Sequence, residues 1–124
     1  MAIRSLSLHF LRTTVIIGLS VSAVVHILQL EVYGITASVI IVSGFGVIYA
    51  VLAILHGLRH SWAPILSVVF PSIGAILGIL RFVFLRPNAG SIIDVVLDVI
   101  VIIPVSAVMW SRHTYASSTL PLHH

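Results

Sequence analysis

The chain has 124 residues, of which 60% are hydrophobic and 7% charged, and its mean hydropathy is +1.25. Soluble domains carry roughly 25% charged residues, so this inventory excludes a water-facing surface and implies an integral membrane protein. The net charge of +3 comes from six arginines set against Glu31, Asp94 and Asp98; these arginines stand singly between apolar runs, as membrane anchors do, and not on one face that would bind nucleic acid. Cysteine is absent, which excludes disulfides, thiolate catalysis and cysteine metal sites.

The first apolar run covers about Thr13 to Leu30, close to the roughly 20 residues a spanning helix requires. Arg4, Arg12 and the small residues Val21–Ala23 resemble a secretory signal peptide, but the run continues to Leu30, beyond the roughly 7–15 residues of a cleaved segment. A retained helix is therefore expected, and the intact mass of the mature chain tests it. On this helix Gly18, Ser22 and His26 recur at four-residue steps and share a face. The link EVYGI follows, carrying Glu31 and the turn former Gly34.

The second run, about Thr36 to Leu55, presents Ser43, Gly46, Ala50, Ala53 and Gly57 at alternating three- and four-residue steps. The link HGLRHSW then holds His56 and His60, an HxxxH spacing that places two zinc ligands on one helical face. They are weak metal candidates: no third ligand is fixed nearby, and His113, His123 and His124 lie on the tail. The same link, with Arg59 and Trp62, has the aromatic and basic character of a membrane border.

The third run, about Ala63 to Leu85, opens with Pro64, an accepted first-turn residue. Ser67, Pro71, Gly74, Gly78 and Arg81 form its small and polar stripe, with a GxxxG at Gly74–Gly78. Beyond the link RPNAG, the fourth run spans about Ser91 to Trp110 with Ser91, Asp94 and Asp98 on one face. Pro71 and Pro104 fall inside their helices, each releasing the carbonyl four residues earlier, at Ser67 and Ile100. A polar tail, residues 113–124, closes the chain.

The expected architecture is all-α: one domain, residues 1–112, forming an up-down bundle of four transmembrane helices, since short links make sequential helices antiparallel neighbours. Small residues let membrane helices approach closely, so Gly46, Ala50, Ala53, Gly74 and Gly78 are the expected packing positions. Arg4, Arg12, Arg59 and Arg112 lie on the side of the termini, Arg81 and Arg86 on the other. This excess of positive charge predicts both termini in the cytoplasm.

Two aspartates in the fourth run need a physical account. Its twelve Ile, Val and Leu residues favour insertion by roughly 4–7 kcal/mol, and two ionised aspartates at mid-membrane would cost about 5–7. Asp94 and Asp98 lie only about 6 and 12 Å beyond Gly90 along the helix, so the cost is partial and a partner removes much of it. Antiparallel threading brings Arg81, His26 and Glu31 to the same side, which predicts a one-sided polar cluster of Asp94, Asp98, Arg81, His26 and Glu31, with Arg81 as counter-charge.

Arg81 and Gly90-x3-Asp94-x3-Asp98 resemble the latter half of the CDP-alcohol phosphotransferase signature, which would imply a two-metal phosphotransfer centre. That centre needs an earlier aspartate pair, and Ile76 and Leu77 occupy the Asp-Gly positions. No GxSxG, Walker or GxGxxG sequence is present. A haem between axial histidines is disfavoured because His26 and His56 lie near opposite membrane faces. The expectation is a non-catalytic protein without cofactor. Its partners are the lipid bilayer and other membrane subunits or further copies of itself, in which it acts as a structural or accessory subunit. The alternative is a minimal proton- or cation-coupled transporter or channel, in which the polar cluster carries charge.

Overall fold

A computed structural model describes residues 2–85 and 87–118, with side chains from 7 to 85 and 87 to 112. Arg4, Arg86, His113, His123 and His124 therefore lie outside the side chains described. Four helices follow in order: α1 (Ala2–Tyr33), α2 (Ala37–Gly57), α3 (Ala63–Phe84) and α4 (Ala89–Ser118). All four are long and apolar enough to span a membrane, over Ser7–Tyr33, Ala37–Gly57, Ala63–Phe84 and Ala89–Arg112. The shortest, of 21 residues, rises about 31 Å and matches a hydrocarbon core of about 30 Å.

The outer helices exceed the expected bounds. α1 begins at Ala2, not near Thr13, and α4 continues to Ser118, past the expected end at Trp110. Apolarity marks where a helix meets lipid, whereas the helix itself continues into polar sequence that carries no breaker.

Local chemistry sets the inner ends. Gly34 adopts φ 75° and donates its N–H to the Leu30 carbonyl, the left-handed stop that glycine makes without strain. Thr36 then caps α2, its hydroxyl accepting from the Val39 N–H. At the other end of α2 the left-handed residue is Arg59 (φ 57°), not Gly57. The Arg59 and His60 N–H groups reach back to the His56 and Leu55 carbonyls, the paired bonds of a Schellman stop. Helix α2 thus ends before His60, and the HxxxH pair does not lie on one helical face. Asn88 opens α4, its side-chain oxygen accepting the Ser91 N–H at 2.8 Å.

The helices form a ring. α1 packs on α2 and α4, and α3 on α4; α2 meets α3 least, while α1–α3 and α2–α4 are diagonal pairs. Val15, Leu19, Tyr49, Leu52, Val101 and Val105 build the centre from α1, α2 and α4. The outside is apolar, with Ile17, Ile40, Ile54, Ile76 and Ile103 among many exposed aliphatic residues. Serines, aspartates and histidine lie inside. This inversion suits lipid, where apolar surface needs no burial and polar groups must find one another.

Glycines set the helix spacing. A Cβ on Gly46 would stand 2.9 Å from the Ala23 carbonyl of α1, and one on Gly78 2.8 Å from Val95 of α4. Ala53 is buried and Ala50 half-buried against the core. Gly46→Ala is therefore expected to push α2 off α1 and lower stability by about 1–3 kcal/mol, the usual effect of overpacking. Unfolding in mixed micelles checks this, with Gly44→Ala as control, since a Cβ there meets nothing within 4 Å. Arg59→Gly is expected to act oppositely, raising stability by about 1 kcal/mol as the left-handed strain is relieved.

Candidate functional site

The polar groups gather in the half of the bundle that holds the α1–α2 and α3–α4 links. Asp98 is 1% exposed and Asp94 5%, and a different helix serves each. Tyr49 of α2, itself fully buried, donates its hydroxyl to Asp98 Oδ1 at 2.6 Å. Gln29 of α1 donates its amide Nε2 to Asp94 Oδ2, also at 2.6 Å. The Gln29 carbonyl oxygen in turn accepts from Arg81 of α3 at 3.2 Å.

This corrects the expected direct pairing of Arg81 with an aspartate. An amide has a donor at one end and an acceptor at the other, so Gln29 links carboxylate to guanidinium without contact between them. Among the described residues, no arginine–carboxylate ion pair forms. Physically, the arrangement leaves Arg81 half-buried, with its guanidinium on the Gln29 carbonyl oxygen. Glu31 does not join the cluster. It is exposed at the end of α1, because its step from Gln29 turns it away from the inward stripe.

His26 completes the group. Its Nδ1 donates to the Ser22 carbonyl at 2.7 Å and lies 3.6 Å from Asp94 Oδ1. A hydrogen bond to a carbonyl requires the proton on Nδ1, which fixes that tautomer for the neutral ring. The imidazole stands edge-on to Tyr49, with ring centroids 5.0 Å apart. Ser43 of α2 donates to the His26 carbonyl at 3.1 Å, tying the two helices together. Gly74 of α3 provides the space: a Cβ there would lie 2.6 Å from the Tyr49 hydroxyl and 2.8 Å from Asp98 Oδ2.

Next to this cluster, α2 and α3 part. A cavity of about 330 Å³ opens between them, with Ile41, Phe45, Leu77 and Phe84 on its walls and His26, Arg81, Ser91 and Asp94 at its back. Toward the opposite membrane face the same two helices are joined, His56 Nε2 to Ser67 Oγ at 2.8 Å. His56 is thus a buried helix-to-helix contact, while His60 is exposed and its ring accepts the Trp62 N–H. Among the described residues, no three His, Asp or Glu side chains stand close enough to hold a metal ion.

Gln29 and Tyr49 are the residues that sequence reasoning missed. Both continue stripes already visible: Gln29 follows Ser22 and His26 by one three-residue step, and Tyr49 follows Ser43 and Gly46 in the same way. No family model, curated protein or solved structure matches the chain.

Tyr49→Phe removes the hydrogen-bond donor to Asp98 and is expected to cost about 1–3 kcal/mol, since a buried acceptor loses its partner. Replacing both partners, as Tyr49→Phe with Asp98→Leu, is expected to recover most of that loss. Unfolding of the four proteins of this double-mutant cycle measures the coupling, and strictly additive effects would contradict the pairing.

Proposed function

We propose that this membrane protein is a non-catalytic, minimal proton- or cation-coupled transporter in which Asp94 and Asp98 are the charge-handling groups. The observation that carries the reading is that both carboxylates, buried inside a membrane bundle, take their hydrogen bonds from an amide and a phenol and that no arginine among the described residues pairs with either. Asp98 faces Tyr49, and Asp94 faces Gln29. Intramembrane carboxylates mark proton and cation paths, and one held by an amide or a phenol keeps the capacity to exchange a proton or a cation while also joining helices. The cavity between α2 and α3 is lined in part by Asp94.

The reading as an accessory subunit started from the small-residue faces and the polar cluster as assembly devices. Gly46, Gly74 and Gly78 are in tight contact within this chain, and the buried polar groups look inward. Those features therefore give less support to docking on another subunit or on a second copy. For orientation, Arg12 is close enough to Arg59 and Arg112 to feel their charge, and with the acids at the opposite end this concentration favours both termini in the cytoplasm.

The functional test is proton movement in liposomes containing the purified chain, under an imposed pH gradient, with sodium, potassium or an organic ammonium salt supplied in turn on the opposite side. Flux above empty liposomes that falls to background in Asp98→Asn is expected; flux that Asp98→Asn leaves unchanged would sink the role of that carboxylate. Because the chain has no cysteine, single cysteines report orientation directly. Ser111→Cys in cells is expected to resist a membrane-impermeant maleimide added outside, and Tyr33→Cys to react.

A further inference from the structure

The cavity between α2 and α3 carries information about its occupant, in the atoms left without partners at its back. Asp94 Oδ1 accepts no hydrogen bond although the residue is 5% exposed, with His26 Nδ1 3.6 Å away, and the Ser91 hydroxyl has no hydrogen-bond partner at 1% exposed. Both residues line the cavity, three positions apart on one face of α4. One turn deeper, Asp98 Oδ2 is also unpartnered and stands against Gly74, itself part of the cavity wall. Two carboxylates and a hydroxyl, all able to accept, await donors, and unsatisfied buried groups of this kind are rare in folded proteins.

Charge narrows the class. Two carboxylates face one guanidinium, and Arg81 reaches Asp94 only through Gln29. His26 has its Nδ1 proton directed at the Ser22 carbonyl, and Tyr49 is neutral and already bonded to Asp98. With the imidazole neutral, the site is formally one positive charge short. The walls narrow it further: Ile41, Phe45, Leu77 and Phe84 offer nothing to a hydrated alkali ion, but they bury apolar carbon and present aromatic rings to a cation. A volume of about 330 Å³ lies at the small end of the roughly 300–1,000 Å³ typical of ligand sites.

We infer that the cavity binds an organic ammonium ion with an apolar body, its N–H groups on Asp94 Oδ1 and Ser91 and its carbon skeleton between α2 and α3. This rests on the transport reading and names its substrate class. Binding at Asp94 brings in the one positive charge that the site lacks, with no covalent bond made or broken and no further reactant.

The test uses the full chain in phosphatidylcholine nanodiscs with radiolabelled phenethylammonium as probe. Saturable binding is expected, weakened at least about tenfold by Asp94→Asn, as when a hydrogen bond to a charged group is lost. Val42→Phe, at a further residue of α2 that lines the cavity, fills it with apolar volume and is expected to weaken binding while leaving the unfolding temperature unchanged. This variant keeps the test valid if Asp94→Asn does not fold. Phenylpropanol, which has no charge, and the phenethyl trimethylammonium ion, which has no N–H, are expected to compete at least about tenfold less well by the same reasoning. Equal competition by either, or displacement by millimolar sodium chloride, would overturn the inference. So would proton flux in liposomes without any probe binding, which leaves the transport reading standing. Binding with no accompanying proton flux has the reverse meaning: the site holds, and transport fails.

Discussion

A carboxylate inside lipid must find a hydrogen-bond donor or cation on another helix, and the rest of this structure follows from meeting that requirement twice on α4. Tyr49 reaches Asp98 across the α2–α4 diagonal, and Gln29 reaches Asp94 from the neighbouring α1 while holding Arg81 of α3 across the other diagonal. All four helices thereby meet through polar side chains in one half of the bundle. In lipid, apolar packing between helices has no solvent-driven advantage over lipid contact, so such bonds fix which helices meet and at what depth.

Close approach is the second condition, and glycine meets it. The Tyr49–Asp98 pair fits because Gly74 has no side chain, and α1 approaches α2 where Gly46 faces the Ala23 carbonyl. α3 is held differently from the rest. Its buried residues are Ala63, Pro64, Ser67 and Pro71, all in its first half. The second half, past Pro71, is anchored through Gly78 on α4 and through Arg81, and it is here that α2 and α3 separate into the cavity. A helix joined at the His56–Ser67 end and parted at the other creates a lateral opening, which a fully packed bundle would lack.

Much of this was legible in the amino-acid order. Long apolar runs with short links dictate four antiparallel spans, and the GxxxG on α3 with the small residues of α2 marks inward faces. Asp94, Asp98, His26 and Arg81 fall in one half because antiparallel threading leaves no alternative. Pairing was less legible. Charge alone suggests Arg81 against an aspartate, whereas a glutamine of α1 intervenes, and glutamine and tyrosine in apolar runs carry no charge to draw attention. His60 was misplaced for a local reason, since the left-handed turn at Arg59 ends the helix that HxxxH spacing assumes. Glu31 shares a membrane side with the cluster but not a helix face, and depth alone does not distinguish the two.

The central claim is that Gln29 stands between Asp94 and Arg81, leaving both buried carboxylates without a direct contact to that arginine. Solid-state NMR in lipid bilayers, measuring dipolar couplings from labelled Gln29 Nε2 and Arg81 guanidinium nitrogens to the Asp94 and Asp98 carboxyl carbons, tests it most directly. The account predicts a strong Gln29–Asp94 coupling and none of comparable strength from Arg81 to either aspartate. A strong Arg81–aspartate coupling with a weak one from Gln29 would show a conventional ion pair and contradict the account.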